Sequence, residues 1–337
     1  MPRLLLSPYA ERSSPPAPAR RRAATALAAL VSLLLAEPAL AQRAEAKISF
    51  EDRVLRIDYG AVRLGKHGLS EMAEGGEWRL GSGNATKLET TAPLVVGDEV
   101  VPPGGYKLAL RRGRGTEFSL EVARAGFALS EKHGSVLLPL EYAEEEKPAQ
   151  KLAISLSALS DPRRGPPNLV LFRAAYGIHR VTAASVLPGT ETAKAKGFDV
   201  AVFALDSDLV ARRSRAGRNT PVASLSRKQR RRGEPERWNI VLGRDSVLVR
   251  PAPEAPTENF GFGKIPDDEV DPDEAALVRE GTASRAPAQS ERPRLSLESA
   301  KPSEDGGVVL VLGCGKDAVT LELPDPMKKS AETRRGE

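Results

Sequence analysis

The sequence predicts an all-β fold: an antiparallel β-sandwich or partly open barrel, built as two tandem domains. Three observations carry this. Short runs alternate apolar and polar residues with period two, as half-buried strands do. Gly, Pro and Asp clusters bound most of those runs. Beyond the N-terminal region no stretch of convincing length has helical periodicity; the best candidate is short, around Pro272–Glu280.

Residues 1–41 read as an export signal. Arg20-Arg21-Arg22 is a basic n-region, Ala23–Leu35 an apolar h-region, and Ala39-Leu40-Ala41 a small-residue cleavage site before Gln42. The expected product is periplasmic or secreted, with no transmembrane span after cleavage. An uncleaved anchor is the alternative, although the apolar stretch is short for a span. No Cys follows the h-region to carry a lipid. The only cysteine is Cys314, so no intramolecular disulfide forms and stability must come from packed cores. The formal charge is +5, but the signal carries five Lys/Arg against two Asp/Glu, which leaves the rest near +2. Charge distribution therefore matters more than the total.

The strands follow in order. Leu55, Ile57 and Tyr59 alternate with Arg56 and Asp58. Tyr106, Leu108 and Leu110 alternate with Lys107 and Ala109, and Phe118, Leu120 and Val122 with Ser119 and Glu121. Leu152, Ile154 and Leu156 alternate with Ala153 and Ser155. Gly104-Gly105 and Gly113-Arg114-Gly115 supply the turns between them. A weak repeat is visible further on. Leu152-Ala153-Ile154 matches Leu295-Ser296-Leu297, Tyr176-Gly177 matches Cys314-Gly315, and Val181-Thr182 matches Val319-Thr320. Trp238, Ile240 and Leu242 echo the core positions Phe118, Leu120 and one like Leu110. The expected domains are 46–188 and 196–324, with 325–337 a disordered tail. The stretch Pro188–Lys196 has linker composition. A single domain with a coincidental hairpin match is the competing reading.

The segment Glu77-Trp78-Arg79-Leu80-Gly81-Ser82-Gly83-Asn84-Ala85-Thr86, followed by Pro102-Pro103-Gly104-Gly105-Tyr106-Lys107-Leu108, is the densest in unusual residues. Trp78 offers a stacking face, Arg79 a planar fork of donors, and Asn84 and Thr86 short hydrogen-bonding groups. With Tyr106 these are the candidate ligand contacts. The same residues suit a packed turn, with Trp78 in the core, Arg79 paired to Glu77 or Asp98, and Asn84 and Thr86 capping the backbone. Over roughly Ala46–Ala184 the pattern resembles domain-of-unknown-function family 2911, whose members carry W-R-x-G-x-N-x-A-T and then L-P-A-G-x-Y-x-L. This chain has one extra residue in the first motif. It also has Phe118 where a Trp usually opens the next strand. The resemblance implies a β fold and an exported protein, and no reaction. Arg215-Ala216-Gly217-Arg218-Asn219-Thr220 is the nearest echo in the second half, and it lacks the Trp.

Enzyme signatures are absent: no G-x-S-x-G elbow, no H-E-x-x-H, no P-loop. His67, His133 and His179 are far apart in sequence, and no metal or other cofactor is expected. Cys314, between two glycines near an apolar run, reads as an inert thiol. A basic loop is expected over residues 209–233, with Arg212, Arg213, Arg230, Arg231 and Arg232 as polyanion-binding candidates. It carries no aromatic residue, so specific nucleic-acid binding is not expected, and an anionic envelope component is the natural partner. An acidic loop over 267–280 imitates a calcium loop but has Glu274 where that loop needs glycine. The expected function is an exported non-catalytic binding or structural module. The alternative is a hydrolase of cell-envelope material using Arg79, Asn84, Thr86 and a histidine brought near by folding.

Overall fold

The computed structural model describes residues 42–65, 69–82, 84–124, 135–159, 169–227, 236–244, 246–253 and 279–326. The signal segment, His67, His133, Arg230, Arg231, Arg232 and almost all of the acidic run lie outside these residues. From Ala41 onward the chain is one compact unit. Among the described residues it is built almost wholly of strand, in two antiparallel sheets, so the all-β expectation holds.

The first sheet has ten strands. β1 (Gln42–Phe50), β2 (Arg53–Ala61), β4 (Thr86–Thr90), β7 (Gly104–Arg112), β8 (Phe118–Arg124), β9 (Val136–Leu159) and β10 (Leu169–Val186) lie side by side in that order. A hairpin of β5 (Leu94–Val96) and β6 (Glu99–Val101) continues from β10, and β3 (Glu77–Trp78) adds to β7. The alternation read from sequence sets the faces. Leu55, Ile57, Tyr59, Tyr106, Leu108, Leu110, Leu120, Val122, Leu152 and Ile154 all enter one core. The sheet coils nearly shut: Arg63 bridges Lys151, and the Leu152 N–H donates to the Val62 carbonyl at 2.8 Å.

The second sheet is a seven-strand meander. Its strands are β11 (Thr190–Ala195), β12 (Phe198–Phe203), β13 (Thr220–Arg227), β14 (Glu236–Leu242), β15 (Ser246–Pro251), β16 (Arg279–Pro302) and β17 (Val308–Leu323). Without β3, β5 and β6 the first sheet has the same order. Registers agree as well. Thr86, Leu108, Val122 and Val136 are successive cross-strand partners, as are Ala223, Ile240, Val249 and Arg279. Asp206 bridges Arg294 and the Leu295 N–H donates to the Leu205 carbonyl at 2.8 Å, mirroring the closure of the first sheet. Each long hairpin is kinked beside a glycine in the left-handed region, Gly177 and Gly315, both at φ 63°. Trp238, Ile240 and Leu242 fall in register with Tyr106, Leu108 and Leu110 of β7. The sequence pattern aligns the first two with Phe118 and Leu120 of β8 instead, and Leu242 with a Leu110-like position, which the register bears out.

Two local expectations are corrected. Most of the linker stretch Pro188–Lys196 is strand β11, paired along its length with β12. Glycine and threonine there serve a hairpin whose turn puts Lys196 at φ 51°. The basic run is not a loop between residues 209 and 227. It is helix α1 (Ser207–Arg215) followed by β13. Asp206 caps the helix by accepting from the Leu209 N–H at 3.0 Å, and Leu209, Val210 and Arg213 form its buried stripe.

The β5–β6 hairpin joins the halves. Val95 and Val100 leave the first core and enter the second. At the hairpin tip Asp98 pairs with Arg212 at 3.1 Å and Glu99 with Arg218 at 2.5 Å. Arg213 is 8 % exposed and donates to the Asp98 and Asn219 carbonyls and to the Thr220 hydroxyl. The Asn239 amide donates to the Pro103 carbonyl at 2.9 Å, and the Gly105 N–H to the Pro253 carbonyl at 2.7 Å.

Candidate functional site

The Trp78–Thr86 segment crosses one end of the first sheet. β3 holds its start, pairing Trp78 with Leu110, and β4 takes over at Thr86. Between them the chain passes through Leu80 at φ 52° and Gly81 at φ 140°. A leucine in the left-handed region is strained, yet Leu80 is fully buried. Two contacts hold it there. The Thr86 hydroxyl donates to the Leu80 carbonyl at 2.6 Å, and the segment presses on Gly60, where any Cβ would run into the Ser82 carbonyl. Arg43, itself paired with Asp58 at 2.9 Å, donates to the Asn84 carbonyl at 3.3 Å.

The five candidate contacts thus separate. Thr86 and Tyr106 are buried and their hydroxyls are used internally, Thr86 on Leu80 and Tyr106 on the Pro102 carbonyl at 2.7 Å. They support the segment and do not face solvent. Trp78 is half-buried, its ring 5.2 Å from that of Tyr176. Arg79 and Asn84 are exposed. Asp98, offered as a partner for Arg79, is instead committed to Arg212 and Arg213.

Sequence reasoning missed the neighbours on β9 and β10. Tyr176 donates to the Arg63 carbonyl at 3.1 Å and accepts from the Gly65 N–H at 3.1 Å. Three residues on, past the Gly177 kink, His179 stacks against Tyr142, which stacks on Phe118. The Tyr142 hydroxyl also reaches Glu144 at 3.0 Å. Burial, then the Glu144 carboxylate, push the phenol above its ordinary pKa. The signal available in sequence was parity: Leu138, Leu140 and Tyr142 alternate along one strand face.

On the opposite face, Glu77 lies across from Arg111, and Arg111 reaches the fully buried Glu121 at 3.0 Å. Burial, then the Glu121 carboxylate, push the Glu77 carboxyl above its ordinary range, against the pull of Arg111. A raised folded-state value means that ionising Glu77 costs stability. The cost is fully present above the folded value, absent below the unfolded one, and relieved as pH falls between them. Glu77→Gln is therefore expected to raise the melting temperature at pH 8 and to change it little at pH 4. Equal shifts at both pH values would contradict this.

Of the polyanion candidates, Arg212 and Arg213 are engaged by the hairpin tip, as is Arg218, and Arg213 is buried. Cys314 is buried and burial pushes its thiol up, which suits an inert group. Among the described residues no cluster of His, Cys, Asp and Glu could hold a metal ion, and no helix is long and apolar enough to cross a membrane. A cavity inside the first sheet is lined by Leu55, Ile57, Leu88, Leu108 and Phe172 among others. It is apolar and has room for about one water, so it reads as a packing gap. No family model, no curated protein and no solved structure matches this chain.

Proposed function

We propose that this is an exported, non-catalytic binding module made of two duplicated β units, in which the first unit carries the ligand-facing end and the second supports it. Matching strand order, registers and kink glycines support the duplication. The observation that carries the binding reading is a difference between the units. In the second, four residues connect helix α1 to β13. In the first, a single 3-10 turn (Leu69–Glu71) takes the place of that helix in the strand order, and residues 72–85 separate it from β4, with a strained, buried Leu80 and with Arg79 and Asn84 turned outward. Strain of this kind persists where the surroundings enforce it, and it concentrates at functional sites. The other addition, the β5–β6 hairpin, is used in joining the units. The resemblance to family 2911 rests on the same segment and belongs to this reading.

The ligand is an envelope component. Contact through Arg230–Arg232 belongs to the proposal, while Arg212 and Arg213 are engaged within the chain. The hydrolase alternative loses one of its parts, because Thr86 is buried and its proton is given to Leu80. The test is co-sedimentation of the purified protein with isolated envelope material. Arg79→Ala and Asn84→Ala are expected to weaken retention roughly tenfold while stability moves by about 0.5 kcal/mol or less, as at exposed positions. Unchanged retention in both variants would remove the segment as a binding surface.

A further inference from the structure

The Tyr142 hydroxyl lies 2.8 Å from His179 Nδ1 and 3.0 Å from Glu144 Oε1. A phenol has one proton, and an ionised carboxylate only accepts, so that proton belongs to Glu144. The phenol oxygen then accepts from His179, and Nδ1 must carry the hydrogen. A neutral imidazole has a single N–H, which leaves Nε2 as a bare acceptor lone pair. None of the hydrogen bonds among the described residues uses it. His179 as a whole is 7 % exposed.

The fold does not require this row. In the second unit the same kink, with Gly315 at the same φ, holds Arg285, Pro287 and Asp317 at the places of Tyr142, Glu144 and His179. An imidazole and the two residues that order it have thus been placed in one copy of a geometry that the other copy builds without them.

We propose that His179 Nε2 is a ligand contact, an acceptor held ready for a hydroxyl of a sugar ring bound at the Trp78 end of the first sheet. This rests on the binding-module reading and names its ligand class. The half-buried Trp78 ring lies across the Gly177 kink from His179, packed on one side by Tyr176, and Glu144 is exposed beside the histidine. A sugar offers C–H faces to aromatic rings and O–H donors to acceptors. A metal ion would need further ligands, and none gather around His179 among the described residues.

The experiment is long-range proton–nitrogen NMR of the nitrogen-15-labelled protein at pH 8, with His179 assigned by its loss in His179→Asn. The expected result is a protonated Nδ1 and an unprotonated Nε2, reverting to the commoner Nε2–H form in Tyr142→Phe. Chitotetraose at millimolar concentration should then move the Nε2 resonance and leave Nδ1 protonated. An Nε2–H tautomer in the parent protein overturns the proposal, and so does an Nε2 resonance that ignores the sugar. A sugar response together with unaltered sedimentation of the Arg79 and Asn84 variants would keep the His179 site and reject the segment as the binding surface.

Discussion

Replacing Arg213 by alanine is expected to destabilise the protein by about 2–4 kcal/mol, because it strands several hydrogen-bond partners of a buried guanidinium at about 1–3 kcal/mol each. Its guanidinium is nearly sealed and serves four acceptors: the Asp98 and Asn219 carbonyls, the Thr220 hydroxyl and the Glu99 carboxylate. Alanine would strand the Asp98 and Asn219 carbonyls and leave Glu99 with Arg218 alone. The loss should also change how the protein unfolds. The chain contains two tryptophans, Trp78 in the first unit and Trp238 in the second core. Single-tryptophan variants (Trp78→Phe and Trp238→Phe) therefore report each half separately. In the parent protein the two transitions should coincide, because Val95 and Val100 belong to the second core although their strands belong to the first sheet. In Arg213→Ala they should separate. Arg212→Ala is the control. It removes only an exposed pair with Asp98, worth about 0–1 kcal/mol. Equal, small effects of the two changes would show that the hairpin contact does not couple the halves.

That role for Arg213 was not legible in the sequence, and the reason is specific. A string of arginines without acids reads as a solvated run, because its partners lie more than a hundred residues upstream at the β5–β6 tip. A local signal was present and outweighed: Asp206 three residues before Leu209 is a helix-start pattern, and Leu209, Val210 and Arg213 have helical spacing. The strands were legible because one face of each enters the apolar core, so the period-two pattern is imposed by the core itself. Leu55, Ile57 and Tyr59 show this on β2, and Phe118, Leu120 and Val122 on β8. The echo between Tyr176-Gly177 and Cys314-Gly315 was legible because both glycines occupy a conformation that other residues reach only with strain. The site was legible in part. Trp78, Arg79 and Asn84 stand together on one segment, whereas the Tyr142–Glu144–His179 row depends on the register of β9 against β10, which no local pattern encodes.

Gly60→Ala is the change expected to do most to the segment without touching it in sequence. Gly60 sits on β2 opposite Arg43, directly beneath Gly81 and Ser82. The new Cβ would meet the carbonyl oxygen, carbonyl carbon and nitrogen of Ser82. These are backbone atoms in a stretch already strained at Leu80, so they cannot yield as a flexible side chain does. Two costs follow: overpacking of about 1–3 kcal/mol, and withdrawal of Leu80 from a fully buried position, about 1.5–3 kcal/mol. Partial relaxation makes the two overlap, so a total loss of about 2–4 kcal/mol is expected. As the segment lifts, Thr86 loses its acceptor at Leu80, and Trp78 should lose its seat on Tyr176. Its emission should shift to the red in the Trp238→Phe background. Gly197→Ala separates crowding from backbone strain: that glycine has a positive φ of 82° and no atom near its missing Cβ. It should cost about 1 kcal/mol and leave Trp78 emission unchanged. If Gly60→Ala matched it on both measurements, the segment would be free to move off β2, and Leu80 would not be held in place by that contact.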